Sequence, residues 1–229
     1  MSKIILSPSL LSCDFLHIHK DLITLNNKNI EYLHLDVMDG HFVNNISFGI
    51  PVINAISKIK NELNFKLDTH LMISNPRKYL QNFIDAGSDM LSIHLEIDDD
   101  IEDLLKFIKS KNVEAGIVIN PETESSKIFP YLKYCDFVLI MSVHPGFGGQ
   151  KFISDSLDKI EKIHNKIKEE GLKNIKICVD GGINLENAYD VLKKGANYLV
   201  AGSSVFKGDI SANIDAFYDI ISKYEGDNK

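Results

Sequence analysis

The chain has 229 residues, of which 44% are hydrophobic, and a formal net charge of −7 at pH 7. This composition is too apolar for a disordered chain, and the length suffices for one sizeable core or two small ones. The acidic excess argues against general binding to nucleic acid or to anionic membranes. No apolar stretch approaches the roughly 20 residues of a membrane-spanning helix. We therefore expect neither nucleic acid nor a membrane as a partner.

The cysteines indicate the compartment. Cys13, Cys135 and Cys178 are widely spaced and form no CxxC pair, which excludes a disulfide framework and favours a reducing cytoplasm. Residues 10–13 (LLSC) resemble a lipoprotein cleavage box. The apolar run before them is short and is interrupted by residues 7–9 (SPS), so we favour the cytoplasmic interpretation.

Short apolar runs alternate with longer amphipathic segments along the whole chain. Runs of this length that are rich in Ile, Val, Leu and aromatic residues are typical of buried strands. Strands are predicted at residues 4–7, 32–36, 65–71, 90–95, 114–119, 137–141, 176–179 and 198–201.

The segments between these strands contain signals for the start of a helix. Asn75, Ser154 and Asn184 are each placed to cap a helix, because their side chains can accept a hydrogen bond from its first turn. The helices that they predict cover 76–86, the segment after Ser154 up to 170, and 185–194, and a last helix covers about 210–224.

Eight strands in strict alternation with eight helices predict repeated βα units with parallel strands. Such units most simply close into a (β/α)₈ TIM barrel of the α/β class, and the chain length lies within the range of that fold. A doubly wound open sheet is the alternative, although it usually has fewer strands. No linker interrupts the pattern, so we expect residues 1–229 to form a single TIM-barrel domain.

Three predicted strands carry polar residues on one face, where a strand of a parallel barrel is ordinarily apolar. Because side chains alternate across a strand, His34 and Asp36 share a face, and so do Asp68 and His70. Asp180 ends the seventh strand in the same way. His34, Asp36, His70 and Asp180 all lie near the C-terminal ends of their strands, where TIM barrels place their active sites.

Two imidazoles and two carboxylates at matched depth predict a metal site formed by these last four residues. Together they fill four coordination positions and offset the charge of a divalent cation. Without a cation, two buried carboxylates would repel each other and one would take up a proton. The alternative is a set of hydrogen-bonded core residues. The donor set suits zinc, iron(II), manganese or cobalt.

Glycine-rich turns follow the last three strands, at 142–150 (SVHPGFGGQ), 180–182 (DGG) and 201–204 (AGSS). Glycine lets the backbone approach a ligand closely, and N–H groups exposed in such turns bind anions. Phosphate binding after strands seven and eight is frequent in TIM barrels. Ordinary tight turns are the alternative, but three such turns on one rim favour a phosphate site.

In combination, these motifs resemble the ribulose-5-phosphate 3-epimerase family. The resemblance extends over nearly the whole chain. It rests on SPSLLSCDF (7–15), HLDVMDGHFVNNISFG (34–49), LDTHLMI (67–73), SVHPGFGGQKF (142–152), VDGGI (179–183) and AGSS (201–204). It implies a TIM barrel of the ribulose-phosphate-binding type. The implied enzyme is an isomerase that interconverts D-ribulose 5-phosphate and D-xylulose 5-phosphate in the pentose phosphate pathway.

The resemblance also implies roles for individual residues. His34, Asp36, His70 and Asp180 correspond to the ligands of one divalent metal ion, and Asp36 and Asp180 also to the catalytic acid–base pair. The implied contacts with the sugar phosphate are Ser9, His70, Gly146, Phe147, Gly148, Gly149, Gly181, Gly182, Gly202 and Ser203. Met38, Met72 and Met141 correspond to an apolar wall around the site.

The expected reaction is a two-base proton transfer at C3 through a metal-stabilised 2,3-enediolate. The nearest alternative is 3-epimerisation of a six-carbon ketose phosphate such as allulose 6-phosphate. Decarboxylation or aldol chemistry would need a lysine near the carboxylates, whereas Lys66 and Lys176 lie at the N-terminal ends of their strands. A sugar-phosphate-binding regulator would not need a paired acid and base. We also expect a homo-oligomer.

Overall fold

The computed structural model describes residues 3–172 and 174–228. Eight parallel strands form one sheet in the order β1-β8-β7-β6-β5-β4-β3-β2, and a parallel bridge between Ser9 and His34 joins its two ends. The fold is the predicted (β/α)₈ TIM barrel. Its strands are β1 (Ile5–Pro8), β2 (Tyr32–Met38), β3 (Lys66–Met72), β4 (Met90–His94), β5 (Glu114–Ile119), β6 (Phe137–Met141), β7 (Lys176–Asp180) and β8 (Tyr198–Ala201).

All eight predicted strands are present, and β5, β6 and β8 have the predicted bounds. The strands that carry polar residues extend further than predicted: β2 ends at Met38, β3 at Met72 and β7 at Asp180. The register explains the difference, because Asp36 pairs with His70, and Met38 with Met72, through the backbone. Backbone pairing continues into the barrel mouth, where the side chains are no longer uniformly apolar.

The helices cover the outside of the barrel. The α-helices are α1 (Ile18–Asn27), α2 (Ile50–Lys60), α3 (Leu80–Asp85), α4 (Ile101–Ser110), α5 (Ser156–Glu169), α6 (Ala188–Lys193), α7 (Ser203–Phe206) and α8 (Ile210–Asp227), and 3-10 helices cover Leu10–Ser12, Pro76–Lys78 and Ser125–Tyr134. No helix within the described ranges is both long and apolar enough to cross a membrane.

The predicted strict alternation of eight strands with eight helices is wrong in two places. β5 and β6 are joined by the 3-10 helix Ser125–Tyr134, which contains Pro130. Proline lacks the N–H group that an α-helix needs at that position. β8 is followed by two helices, α7 and α8, because Gly208 takes a positive φ of 86° and separates them.

The predicted helix caps are partly right. The Asn75 side chain accepts a hydrogen bond from the Lys78 N–H group, but it caps a 3-10 turn that precedes α3. Asn184 accepts hydrogen bonds from Glu186 and Asn187, and these order a turn before α6. Ser154 does not cap α5, since the residue before that helix is Asp155. Asn and Ser also stabilise turns by such local hydrogen bonds, so the sequence signal does not separate a turn from a cap.

Each strand has one face toward the helices and one face toward the interior of the barrel. The outer face of β2, with Leu33, Leu35 and Val37, belongs to the large core between sheet and helices. Inside the barrel, a separate apolar cluster that includes Phe137 and Tyr198 fills the lower part. This cluster fills the N-terminal end of the barrel interior. The polar faces of β2, β3 and β7 are therefore accessible from the C-terminal mouth.

Candidate active site

The four predicted metal-site residues meet at the barrel mouth. His34 Nε2 and His70 Nδ1 each lie 3.3 Å from Asp36 Oδ1. Asp180 Oδ2, on β7, lies 3.8 Å from His34 Nε2 and 3.9 Å from His70 Nδ1. One nitrogen or oxygen atom from each of the four residues therefore lies within 4.8 Å of the other three. β2 and β3 supply three of the side chains, and β7 supplies the fourth.

Burial divides this cluster into two parts. The imidazoles of His34 and His70 are fully buried, whereas the side chains of Asp36 and Asp180 are 6% and 15% exposed. A molecule that enters the mouth therefore meets the two carboxylates before it meets the imidazoles.

The donor set fits a divalent cation. His34 Nε2 is a buried nitrogen for which no hydrogen-bond partner is found among the described residues, and it faces the other three donors. Ligands at 2.0–2.2 Å from a tetrahedral ion are about 3.4 Å apart, close to the 3.3–3.9 Å separations measured here. Two nitrogen and two oxygen donors suit zinc, iron(II), manganese and cobalt alike. The cluster could therefore bind a metal ion, and its donors do not select which one.

The two carboxylates have opposite proton affinities. Burial would raise the pKa of Asp36, but the nearby His34 imidazole, followed by that of His70, holds it well below its usual range. Burial, followed by the charge of Asp36, raises the pKa of Asp180 to about 7. With no cation bound, the pair at neutral pH thus contains an ionised Asp36 and an Asp180 that readily carries a proton.

The imidazoles differ as well. Burial disfavours the charged form of His34, but Asp36 and Asp68 outweigh it and raise the pKa of this imidazole well above its ordinary value. Burial lowers the pKa of His70 to about 4, and the nearby Asp36 carboxylate only partly opposes this effect. His70 is therefore a neutral ligand candidate at physiological pH, whereas a cation would have to displace a proton from His34.

Asp68 orients this cluster, although the sequence analysis gave it no role. Its Oδ2 atom accepts hydrogen bonds from His34 Nδ1–H at 2.8 Å and from the Tyr198 hydroxyl at 3.0 Å. His34 Nε2 consequently points at the other donors. The Ser9 hydroxyl orients Asp36 in the same way by donating to its Oδ2 atom at 2.6 Å. A signal for Asp68 existed in the sequence, since it shares the polar face of β3 with His70.

The glycine-rich turns form the rim above the carboxylates. One pocket contains residues from all three turns together with both aspartates. The residues predicted to contact a sugar phosphate or to form the wall lie in its lining, except that His70 is buried beneath it. That set is Ser9, Met38, Met72, Met141, Gly146, Phe147, Gly148, Gly149, Gly181, Gly182, Gly202 and Ser203.

Gly182 shows why this rim needs glycine. Its φ is +65°, and a Cβ atom there would lie 2.5 Å from the Phe152 nitrogen and 2.9 Å from the Gln150 oxygen. Within the part of the chain that the structure describes, the N–H groups of Gly182 and Ser203 have no acceptor. Both N–H groups are thus available to an anion in the pocket.

Two side chains donate hydrogen bonds to the backbone of the loop after β6. Asn45, in the loop after β2, donates to the Gly146 carbonyl at 2.6 Å. The Gln150 amide donates to the carbonyls of His144 and Phe147 at 2.6 and 2.8 Å. Phe147 is nevertheless 60% exposed. Side chains therefore hydrogen-bond to three backbone carbonyls of this loop, and the exposed Phe147 ring lies at the edge of the pocket.

The fold and the site together define an α/β-barrel enzyme with two pocket-lining carboxylates and a candidate metal centre at its C-terminal mouth. None of the described residues that line the pocket is a lysine, and Lys66 and Lys176 lie at the N-terminal ends of β3 and β7, as predicted. The chain belongs to the ribulose-phosphate 3-epimerase family, whose model matches residues 5–206.

Similar proteins agree with this assignment. The ribulose-phosphate 3-epimerase of Bacillus subtilis is 42% identical over 200 residues, which cover 87% of this chain and 91% of that protein. The chloroplastic ribulose-5-phosphate-3-epimerase of Arabidopsis thaliana is 43% identical over 207 residues, covering 90% of this chain and 72% of that protein. Among solved structures, 3-keto-L-gulonate-6-phosphate decarboxylase from Vibrio cholerae superposes with a TM-score of 0.71 at 14% identity, covering 97% and 99% of the two chains. That likeness shows the fold alone.

Proposed function

We propose that the protein is a metal-dependent epimerase that interconverts D-ribulose 5-phosphate and D-xylulose 5-phosphate. The names of its relatives, which are ribulose-phosphate 3-epimerases, support the epimerase activity. One observation of the site carries this proposal. Asp36, on β2, and Asp180, on β7, both line the pocket, and β1 and β8 separate their strands around the barrel. A site that must remove a proton from one face of a carbon and deliver one to the other face needs such a pair.

The substrate explains why two carboxylates are required. The proton on C3 can be removed because the neighbouring C2 ketone accepts the electron pair, which gives a 2,3-enediolate. Inversion at C3 requires that one aspartate removes the proton and the other returns one from the opposite face. We assign these roles to Asp36 and Asp180, which exchange them when the reaction runs backward. Ser9 supports this assignment by fixing the orientation of the Asp36 carboxylate.

We propose that His34, Asp36, His70 and Asp180 hold one divalent ion, which is zinc, iron(II), manganese or cobalt. When bound, such an ion supplies Lewis-acid stabilisation of the negative charge that develops on the C2 and C3 oxygens. The buried imidazoles hold it and exchange no proton with the substrate. The carboxylates both hold it and exchange protons with the substrate, because Asp36 and Asp180 line the pocket.

The rest of the pocket positions the substrate. We assign the phosphate to the backbone of the three glycine-rich turns, since N–H groups in such turns bind phosphate without a basic side chain. The proposed substrate contacts are Ser9, His70, Gly146, Phe147, Gly148, Gly149, Gly181, Gly182, Gly202 and Ser203. Met38, Met72 and Met141 form an apolar and polarisable wall that keeps water from the enediolate.

Alanine at Gly182 tests the phosphate assignment. We expect Gly182→Ala to raise KM for the sugar phosphate at least about tenfold, because the new methyl group must displace the backbone at Gln150 and Phe152. Gly208→Ala is the matched control: Gly208 also has a positive φ, of +86°, but a Cβ atom there would contact nothing within 4 Å. Steady-state kinetics of both variants measure the effect. Equal KM values would contradict the phosphate assignment.

Solvent isotope exchange tests the reaction itself. When purified protein converts ribulose 5-phosphate in D₂O, the xylulose 5-phosphate should contain deuterium at C3, which mass spectrometry and NMR detect. Product without solvent deuterium would contradict the two-base scheme. Parallel reactions with allulose 6-phosphate decide between five-carbon and six-carbon substrates, and we expect the higher kcat/KM for ribulose 5-phosphate.

Three further expectations concern the protein as a whole. We propose that residues 1–229 form a single barrel domain, which is supported by the one sheet that contains all eight strands. We place the protein in the cytoplasm, consistent with Cys13, Cys135 and Cys178, which are all buried free thiols. A homo-oligomer remains our prediction for the assembly, and light scattering of the purified protein would measure it.

A further inference from the structure

A third buried histidine contacts the candidate metal centre. His94, at the end of β4, is fully buried, and its ring stacks on that of His70 with centroids 5.0 Å apart and an angle of 25°. The Nε2 atoms of the two rings are 2.8 Å apart. Neither the predicted metal site nor the acid–base pair includes His94.

The other ring nitrogen of His94 faces a carboxylate. His94 Nδ1 lies 3.1 Å from Oε2 of Glu96. The second oxygen of that carboxylate accepts the Asn120 N–H group at 2.8 Å and the Thr123 hydroxyl. The Lys159 ammonium group in turn donates to three carbonyl oxygens of this same loop, at 2.7 to 2.9 Å. Glu96 is therefore held in place by groups that donate to it.

These contacts determine where the protons lie. An ionised carboxylate only accepts hydrogen bonds, so His94 must carry its proton on Nδ1. The neutral ring then has a lone pair on Nε2 and accepts a proton from His70 Nε2. Two nitrogens only 2.8 Å apart require this donor–acceptor arrangement, because two N–H groups cannot face each other at that distance. His70 consequently has its lone pair on Nδ1, the atom that faces Asp36 and Asp180. Its separation of 3.3 Å from Asp36 Oδ1 exceeds the roughly 2.7–3.2 Å of an N–H···O hydrogen bond, so the short contact with His94 decides the tautomer.

We propose that His94 and Glu96 are positioning residues that fix His70 in the Nε2–H tautomer and so present its Nδ1 lone pair to the metal ion. This inference rests on the proposed metal site. The two histidine ligands are thus oriented by different means. Asp68 accepts directly from His34, whereas Glu96 acts on His70 through the intervening imidazole of His94. A hydrogen bond that fixes the free nitrogen of a histidine ligand commonly raises metal affinity.

Replacing Glu96 with glutamine should reverse the direction of the two hydrogen bonds that join His70 to His94 and His94 to Glu96. Glutamine and glutamate have nearly the same side-chain shape. The glutamine oxygen keeps the bonds from Asn120 and Thr123, so its NH₂ group faces His94 Nδ1. His94 must then accept at Nδ1 and donate from Nε2, which forces His70 to place its proton on Nδ1. The nitrogen that should bind the metal is thereby blocked.

Cobalt(II) titration followed by visible absorption measures this effect in the full-length protein. We expect Glu96→Gln to bind Co²⁺ about 10- to 100-fold more weakly than the parent protein. Glu102→Gln is the control, because the Glu102 side chain on α4 is 42% exposed and pairs with the exposed Lys106. Its affinity should equal that of the parent. Equal affinity of all three proteins would overturn the relay.

The tautomer can also be observed directly in the metal-free parent protein, which removes any dependence on the folding of the variant. We expect ¹⁵N-detected NMR to show His70 protonated at Nε2 and unprotonated at Nδ1. A proton on Nδ1 would overturn the proposal. If the parent binds no Co²⁺ at all, the proposed metal site fails, and the NMR result still decides the tautomer on its own.

Discussion

Asp180→Asn should lower the turnover of ribulose 5-phosphate by about 10²–10⁴-fold, the contribution of a well-placed acid or base. An amide cannot take up or deliver the proton, although its shape matches that of the carboxyl group. The fold should persist, because burial and the nearby Asp36 both disfavour a charge at this position. Coupled kinetics with either epimer as substrate would measure the loss, and thermal unfolding would confirm the fold.

The remaining aspartate gives this variant a distinctive behaviour. Asp36 can still remove the C3 proton from the epimer whose proton faces it, so that epimer should exchange with D₂O without being converted. Asp36→Asn should show the opposite preference. Asp219→Asn, at an exposed position on α8, should behave as the parent protein. If either active-site variant keeps full epimerase activity, its aspartate is neither the acid nor the base.

The cluster on which these experiments act was predictable because it depends on one simple rule. Side chains two residues apart in a strand share a face, so the sequence around His34 and Asp36 indicates a polar face. Strand order then brings that face beside His70 and opposite Asp180. Extended strands and glycine-rich turns are local features, and their positions follow from short segments of sequence.

Groups that act through a second residue could not be identified in this way. Asp68 reaches His34 because the register pairs these two residues across neighbouring strands. His94, the last residue of β4, contacts His70, and Glu96 follows β4 and contacts His94, whereas the sequence shows only a histidine and a glutamate two residues apart. Their importance depends on distances between strands, which a one-dimensional pattern does not contain. The opposite pKa shifts of Asp36 and Asp180 likewise depend on burial that only the folded chain defines.

The metal-free protein should gain stability from Co²⁺, and the gain should grow as the pH rises. Burial raises the pKa of Asp180 to about 7, far above the value of 3.8 for an exposed aspartate. Between about pH 4 and 7, the folded metal-free protein therefore retains a proton on Asp180 that the unfolded chain has lost. Because of this difference, the contribution of Asp180 to the free energy of unfolding declines as the pH rises. Co²⁺ binding must displace the same proton, so its affinity increases over this range.

The expected magnitude follows from the release of at least one proton. Co²⁺ affinity should rise at least about tenfold per pH unit below pH 7. At excess metal, each pH unit should therefore add ~1.4 kcal/mol to the difference in free energy of unfolding between the loaded and the metal-free protein. For a chain of this size, that is about 3–5 °C in Tm per pH unit. Above pH 7 the slope should become shallower, because Asp180 is then ionised and only His34 still loses a proton on binding. A Tm difference between loaded and metal-free protein that stays constant from pH 5 to 8 would contradict Asp180 as a ligand, since a ligand must lose its proton before it binds the ion.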